Sequence, residues 1–439
     1  MPLVLLVIDL SKRELFGSLL LKHFLESLGN RALICNSSDV SDFYDYYRPD
    51  AIVYPNAFSD FSDLANDSLV FVLPSESGNG QRDQILSTHG GTPAACVFPK
   101  GVTRFFCWGL GMKDILMESG TWSNEQLIVT GSPATDHWTM PLNKAEMNSR
   151  AIGITPSLRA LSNNTPPKKM NYYQWIDQTE QYGANGNYFR RPEHAESWLF
   201  FEASFARAMC SLIRELSVAG DEKTRIRPHP NALIGRYKYF KEISGGKVTV
   251  SKAGTISNWL ERTLVLFTFA SASSLDAIVR GVPVVSMRGL IDPDALRKIP
   301  VDFHYPYEEM LWQLDTVAQA QDYIGRAKGR KLDVCSNTDG LKRFLAEYFS
   351  YPRSKLAAEQ IAEEIDTLLR NTKITKGKRT RRQKIKRSVP FFAHLRSVWR
   401  FLYSLLPGKI DIGYSYHFWK RSERRATWEE ARKVINTNR

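Results

Sequence analysis

The stretch "LVLFTFASASSLDAIVRGVPVVSM", residues 264–287, has the pattern of a strand, a helix and a second strand. "LVLFTF" and "VPVVSM" are apolar almost throughout, which is typical of strands buried on both faces of a parallel sheet. Between them a helical pattern begins at a group of serines and ends at Gly281. This βαβ unit predicts an open α/β sheet, and in such sheets ligands bind at the carboxyl ends of the strands.

The same alternation of apolar runs and helical patterns extends on both sides of this stretch. It starts with "LVLLVID" at the N-terminus, is interrupted by the polar segment "PLNKAEMNSR", and resumes at "AIGITPS". Two such regions predict two doubly wound, Rossmann-like domains with a ligand cleft between them. We predict an N-terminal acceptor-side domain over 1–140, a linker over 141–150, a nucleotide-binding domain over 151–350, a closing helix over 351–370 and a tail over 371–439.

The positive charge of the chain is concentrated at its C-terminal end. The 439 residues carry a formal net charge of +13, and residues 371–439 alone hold 19 Lys/Arg against 4 Asp/Glu. The remaining 370 residues hold 40 basic and 42 acidic side chains. Because the body of the protein is nearly neutral, the composition argues against a nucleic-acid-binding body.

Other features of the sequence bear on the compartment. The five cysteines are scattered and lack CxxC spacing, so we expect free, buried thiols and a reducing, cytoplasmic environment. No apolar run reaches the roughly 20 residues of a membrane span. The opening "MPLVLLVIDL" has no basic flank and is interrupted by Asp9, which indicates a first buried strand and not a signal peptide.

Ser271, Ser273 and Ser274 stand where the helix of the 264–287 stretch begins. Serine at this place caps free backbone N–H groups. The same N–H groups and the helix dipole can instead bind a phosphate. Small residues on either side would let a ligand approach the backbone closely.

A second cluster, "TRIRPHP", follows an apolar helix at residues 224–230. Arg225 and Arg227 are two apart in a predicted strand and therefore lie on one face. Their guanidinium groups offer planar donors suited to phosphate. His229 follows on the loop at the carboxyl end of the strand, where it is either exposed or a donor to a phosphate oxygen.

Together, "KRELFGSLLLKHFL", "FFCWG", "VTGSPATD", "RIRPHP" and "FASASSLDAIVRGVPVVSM" resemble bacterial surface carbohydrate biosynthesis proteins of the GT-B glycosyltransferase type. The resemblance covers most of residues 1–370. The pairing of HP (His229) with Ser-Ser (Ser273 and Ser274) is similar to that in Kdo and sialic acid transferases, and it implies binding of the CMP part of an activated sugar. We expect Arg225, Arg227 and Ser271 to contact the same donor. The family is usually metal independent, and we expect no metal and no permanently bound cofactor.

The resemblance also implies residues on the acceptor side. The family's acidic-acidic-Gly element corresponds to Glu76-Ser77-Gly78, which leaves Glu76 as the candidate base. Glu196, near a predicted helix start, corresponds to a carboxylate region of the Kdo-type enzymes. Arg13 and Glu14 match the family's "RE" pair, and we expect them to contact substrate. Each of these residues could equally be a helix cap or a solvated side chain.

Residues 162–192 form a long polar and aromatic stretch that we interpret either as an acceptor lid or as an insertion. Lys168, Lys169, Arg190 and Arg191 are its candidate substrate contacts. "DPD", residues 292–294, matches a metal-binding pattern of some transferases but is more typical of a turn that caps a helix.

The tail combines nine basic residues in 373–388 with an amphipathic run that ends at Pro407. This combination is typical of segments that lie on an anionic membrane surface. Residues 373–407 therefore predict peripheral association with the inner membrane. The alternatives are a solvated charge run with a helix docked on the body of the protein, or an RNA-binding tail.

The sequence as a whole predicts a glycosyltransferase that moves a sugar from a nucleotide-activated donor to a surface glycan or glycolipid acceptor. Two alternatives stay open at this point. One is a phosphotransferase that uses CDP-glycerol or CDP-ribitol, and the other is a GT-B-like membrane-docked scaffold without activity.

Overall fold

Parallel β-sheet dominates the computed structural model of the protein, which describes residues 1–9, 11–57, 61–75, 80–90, 99–140, 150–156, 158, 192–219, 222–229, 232, 234–298, 305–374, 376 and 421–437. These residues form two compact units. The first unit comprises 1–78, 84–137 and 345–439, and the second comprises 79–83 and 138–344. The predicted linker falls outside the described residues except for Arg150.

The first unit is built on a six-stranded parallel sheet. Its strands are β1 (Leu3–Ile8), β2 (Arg31–Asn36), β3 (Ala51–Tyr54), β4 (Leu69–Val72), β5 (Arg104–Cys107) and β6 (Leu127–Val129). They lie in the order β2-β1-β3-β4-β5-β6, which is the flavodoxin-like order with one strand added. Strand β1 is buried along its whole length, as expected of an inner strand covered on both faces.

Helices cover this sheet, and the chain returns to it after leaving the second unit. The helices of the first pass are α1 (Ser11–Ser27), α2 (Val40–Tyr47), α3 (Ser62–Ala65), α4 (Arg82–His89) and α5 (Leu110–Glu118). Of the three remaining helices, α12 (Thr338–Phe349) begins in the second unit and ends in the first, and α13 (Ala357–Asn371) and α14 (Arg421–Thr437) belong to the first. Both α13 and α14 pack against α1.

The second unit also has a six-stranded parallel sheet. Its strands are β7 (Ala151–Thr155), β8 (Thr224–Ile226), β9 (Val248–Val250), β10 (Thr263–Thr268), β11 (Val284–Ser286) and β12 (Trp312–Gln313). Their order, β12-β11-β10-β7-β8-β9, is the Rossmann order in which the first and fourth strands of the unit are neighbours.

The helices of the second unit are α6 (Pro192–Ala219), α7 (Lys238–Ile243), α8 (Ile256–Leu260), α9 (Ser273–Val279), α10 (Pro293–Lys298) and α11 (Gln319–Lys328). Phe201 and Phe205 of α6 pack against Phe269, the residue that follows β10. The prediction of two doubly wound, Rossmann-like α/β domains is confirmed, and two such domains in one chain are the components of the GT-B fold class. No helix among the described ranges is long and apolar enough to cross a bilayer.

Candidate functional site

The second unit has its topological switch point between β7 and β10, where the strand order reverses. Open α/β sheets bind ligands outside the carboxyl ends of the strands at such a point. Here β7 ends at Thr155 and β10 at Thr268, and the two hydroxyl oxygens are 2.7 Å apart. The Thr268 hydroxyl also donates to the Thr155 carbonyl at 2.9 Å. Both side chains are buried and join the two strand ends into one rigid edge.

Residues 269–274 follow β10 and are called the β10 loop. One residue of this loop adopts a conformation that L-residues seldom take. Ala270 has a φ of +47°, in the left-handed region, where a residue with a Cβ atom costs about 1–2 kcal/mol. Directly after it the hydroxyls of Ser271 and Ser273 are 2.6 Å apart. Ser274 is buried, and its hydroxyl donates to the Ser271 carbonyl at 2.5 Å. The backbone of this loop is therefore held in a bend that directs two serine hydroxyls to one place.

Glu308 fixes this bend from a segment that follows β11 in the chain. Its carboxylate accepts a hydrogen bond from the Ala270 N–H at 2.7 Å and one from the Ser286 hydroxyl at 2.8 Å. Ser286 is the last residue of β11 and pairs in register with Thr268. One buried side chain thus ties the β10 loop to the end of β11.

The environment of Glu308 disfavours its charged form. Burial, the largest cause, raises the pKa of this carboxyl from 4.5 to about 7, while the hydrogen bonds from Ser286 and from the Ala270 N–H and the charge of Arg288 act in the opposite direction. Arg288 is 3.8 Å from the carboxylate of Glu309. A carboxyl that changes charge near neutral pH at the base of a loop is typical of functional sites.

His229 lies on the loop after β8, at the same edge of the sheet as the β10 loop. The structure places β8 next to β7 and so brings the predicted histidine and serines to one side of the second unit. The His229 side chain is exposed, and its carbonyl accepts from the Ala232 N–H at 2.9 Å. Its proposed role as a phosphate contact stays a prediction.

The two arginines of "TRIRPHP" make contacts inside the second unit. Arg225 lies over the Trp259 ring at 5.4 Å from its centroid and donates to the Trp259 carbonyl at 3.4 Å. Burial lowers the pKa of its guanidinium. Arg227 donates to the carbonyls of Ala253 and Gly254 at 3.1 and 2.8 Å. These contacts position both side chains, and phosphate binding by either one stays a prediction.

A cavity of about 410 Å³ opens beyond the carboxyl ends of β11 and β12. The cavity lining starts at Arg288, two residues after Ser286, the residue that Glu308 links to the β10 loop. Its volume is in the range of small-molecule sites. The lining residues are Arg288, Gly289, Ile291, Pro293, Leu296, Glu309, Gln313 and Asp315. Nearby, Asp292 accepts from the N–H of Asp294 at 2.8 Å and so caps the start of α10.

The switch point of the first unit lies between β1 and β3. Here Asp9, directly after β1, accepts from the Asn56 amide at 3.0 Å, and its N–H donates to Glu14 at 2.6 Å. The sequence-predicted Glu14 therefore lies at the carboxyl edge of the first sheet. The Arg13 side chain is outside the described part of the structure. Whether Glu14 contacts a substrate stays a prediction.

Several predicted site residues fall outside what the structure describes. Glu196 lies in α6, but its side chain is outside the described part of the structure. Five other predicted residues lie entirely outside the described part: Glu76, Lys168, Lys169, Arg190 and Arg191.

The "VTGSPATD" segment has a clear structural role. Its last residue, Asp136, is fully buried and accepts from the N–H groups of Ala357 and Ala358, both at 2.9 Å. These are the first two residues of α13, so the carboxylate caps that helix. The Arg353 guanidinium is 3.3 Å from the same carboxylate. Burial, the largest cause, raises the pKa of Asp136 to about 6, although Arg353 and both N–H groups lower it.

Sequence reasoning missed Glu308, Thr155 and Thr268. The position of the threonines could have been predicted from the sequence, because each is the last residue of an apolar strand and therefore lies at the carboxyl edge of the sheet. Glu308 has no such signal. It stands in "YPYEEM", 38 positions after its partner Ala270, and nothing local separates it from the exposed Glu309.

Comparison with known proteins gives only distant similarity. No family model matches the sequence, and no curated protein shows significant similarity to it. Among solved structures, the wall teichoic acid polymerase TagF has 14% identity and a TM-score of 0.49 over 84% of this chain and 89% of its own. MnaA of S. aureus, solved with UDP, has 11% identity and a TM-score of 0.48 over 87% and 100%.

A third solved structure, the UDP-GlcNAc 2-epimerase of Methanocaldococcus jannaschii, has 12% identity and a TM-score of 0.45 over 84% of this chain and 100% of its own. Likeness at such identities and TM-scores carries no information about activity.

Proposed function

We propose that the protein is a glycosyltransferase whose nucleotide-activated donor binds at the switch point of the second unit. The observation that carries this proposal is the β10 loop, in which a strained Ala270 and the buried Glu308 hold Ser271 and Ser273 side by side. A loop of this kind at the carboxyl edge of a Rossmann-type sheet suits an anionic ligand approached by backbone and hydroxyl donors.

The chemistry assigned to these residues is stabilisation of the leaving nucleotide. An acceptor hydroxyl forms the new bond to the anomeric carbon of the sugar, the bond from that carbon to the phosphate oxygen breaks, and the nucleotide leaves with the electron pair. His229 and the Ser271–Ser273 pair would donate hydrogen bonds to the phosphate oxygens as this charge develops. The hydroxyl proton would pass to a carboxylate base, for which Glu76 and Glu196 are the candidates.

The donor nucleotide is assigned by sequence resemblance and is a CMP-linked sugar. The cavity beyond the carboxyl ends of β11 and β12 is the proposed space for the sugar of this donor. The proposed acceptor is a growing surface glycan on a lipid carrier, and the proposed site of action is the cytoplasmic face of the inner membrane.

Release of CMP from a CMP-sugar in the presence of a glycolipid acceptor tests this function. We expect His229→Ala to lower kcat/KM by roughly 10- to 100-fold, because a hydrogen bond to a charged phosphate contributes about 1.5–3 kcal/mol. The partly exposed His23 lies on α1, a helix of the first unit, and is not among the predicted donor contacts. His23→Ala therefore serves as the matched control and should retain full activity.

Two results would contradict the proposal in different ways. Transfer of glycerol phosphate or ribitol phosphate from a CDP-linked donor, with no sugar transfer, would establish the phosphotransferase. Absence of any turnover together with absence of nucleotide binding would establish the inactive scaffold.

We propose that the tail attaches the enzyme to the membrane through residues 373–407. Lys376, at the start of this segment, is 2.6 Å from Asp50 of the first unit. Anionic vesicles should retain the protein at low salt and release it as the salt concentration rises. Equal retention after replacement of the arginines and lysines of 378–387 by glutamine would refute the role of this segment.

A further inference from the structure

Glu308 is the one buried carboxylate of the described second unit that joins two strand ends at the proposed donor site. Its two oxygens are used by different elements, one by the Ala270 N–H and the other by the Ser286 hydroxyl. The neighbouring Tyr307 is fully buried, and its hydroxyl donates to the Ser271 carbonyl at 3.3 Å. The Ser271 carbonyl also accepts from the Ser274 hydroxyl and N–H. The 305–308 segment therefore supports the β10 loop at two successive residues.

This support is needed because the loop is strained. A left-handed Ala270 would relax if its N–H lost its acceptor, since an L-residue prefers the right-handed or extended regions. Relaxation would turn the Ser271 and Ser273 hydroxyls away from their common direction. Glu308 thus holds the geometry of the loop from the interior of the second unit.

The charge of Glu308 has a second consequence. Its partner N–H belongs to the residue immediately before Ser271, so a phosphate bound at the serines would lie close to the carboxylate in a poorly solvated place. Like charges in such surroundings repel strongly, and the pair lowers its energy when the carboxylate takes up a proton.

The protonated side chain can keep both hydrogen bonds. The Glu308 carbonyl oxygen still accepts from the Ala270 N–H, and its O–H donates to the Ser286 hydroxyl, which can rotate to accept. The other charged or titratable groups around this corner are Arg288 after β11, Tyr305 and Tyr307 on the same segment, and Asp276 on α9.

We propose that Glu308 is a positioning residue that holds the β10 loop in its ligand-binding form and takes up a proton when an anionic nucleotide binds there. This inference rests on the proposed function for the identity of the ligand. The positioning role itself depends only on contacts inside the second unit. The burial of the carboxyl and the rise of its pKa to about 7 place the proton uptake in the neutral range.

Three proteins test the proposal: the wild type, Glu308→Gln and Glu308→Ala. Glutamine keeps an acceptor for Ala270 and a donor for Ser286 but cannot titrate. Alanine removes both contacts. The affinity for CMP, CDP and UDP is measured by calorimetry from about pH 6 to about pH 8.5, and hydrogen exchange of residues 269–274 is measured without ligand.

For each protein we compare the nucleotide affinity at pH 6 with that at pH 8. We expect the fall in affinity to be about fivefold or more larger in the wild type than in Glu308→Gln. The titration of the phosphate and of every protein group other than residue 308 is common to both proteins, so it cancels in this ratio. In the absence of ligand, Glu308→Ala should lose protection of the 269–274 amides, whereas Glu308→Gln should retain it. Calorimetry in two buffers of different ionisation enthalpy should detect proton uptake in the wild type alone.

Identical pH dependence in wild type and Glu308→Gln would overturn the proton uptake. Unchanged amide protection in Glu308→Ala would overturn the positioning role. If no nucleotide binds to the wild type at any pH, the proposed function and the proton uptake both fail, and the exchange measurement alone decides on the positioning role.

Discussion

Asp136→Ala is expected to lower the free energy of unfolding of the first unit by about 3–5 kcal/mol. The substitution leaves the buried Arg353 guanidinium without its carboxylate and removes the acceptor of the first two N–H groups of α13. Each of these groups is shielded from water, so water cannot replace the lost contacts. Chemical denaturation followed by circular dichroism measures the loss.

Two variants calibrate this result. Asp136→Asn keeps one acceptor oxygen, so its free energy of unfolding should fall clearly less than that of Asp136→Ala. Glu359→Ala changes a partly exposed carboxylate of the same helix, which pairs with Lys355, and should alter stability by no more than about 0.5 kcal/mol. A loss below about 1 kcal/mol in Asp136→Ala would show that the cap does not hold α13 on the first unit.

The stability of the second unit is expected to fall as the pH rises from about 4.5 to about 7. Glu308 has a higher pKa in the folded protein than its ordinary value of 4.5, so the folded state binds more protons than the unfolded state in this window. The stabilisation is complete below the unfolded pKa and is lost as the pH rises through the folded pKa. A rise of the Glu308 pKa from 4.5 to about 7 corresponds to about 3 kcal/mol in the free energy of unfolding.

Comparison with Glu308→Gln isolates this contribution. Asp136, with its pKa raised from 3.8 to about 6, titrates in both proteins, as does every other group except residue 308. The free energy of unfolding of the second unit, obtained by denaturation at half-unit pH steps, should decline more steeply in the wild type by about 3 kcal/mol across the window. Parallel curves for the two proteins would show that Glu308 does not titrate near neutral pH.

Much of the fold could be predicted from the sequence because its determinants are local. Runs such as "LVLLVI" and "LVLFTF" are apolar at nearly every position, and strands covered on both faces bury side chains of both orientations. Their alternation with helical patterns then predicts parallel sheets. The strand orders follow from contacts between distant segments and are not specified by any single pattern.

The candidate site was predictable only in part. Ser271, Ser273 and His229 follow strands, and that rule alone places them at a carboxyl edge, where the structure has them. The same rule does not predict the contact of Ala270 with Glu308. The acceptor lies 38 positions further along the chain, in a segment whose local sequence does not distinguish it. The role of Asp136 was likewise hidden, because its partners on α13 lie more than 200 positions away.

The central proposal is that the β10 loop of the second unit binds the anionic part of a nucleotide-activated donor. Calorimetric titration of the wild-type protein with CMP, CDP, UDP and GDP, repeated with a Ser271→Ala, Ser273→Ala double variant, tests it most directly. We expect saturable binding of CMP in preference to UDP and GDP, weakened at least about tenfold in the double variant. Absence of binding by all four nucleotides, or equal affinity in the wild type and the double variant, would contradict the proposal.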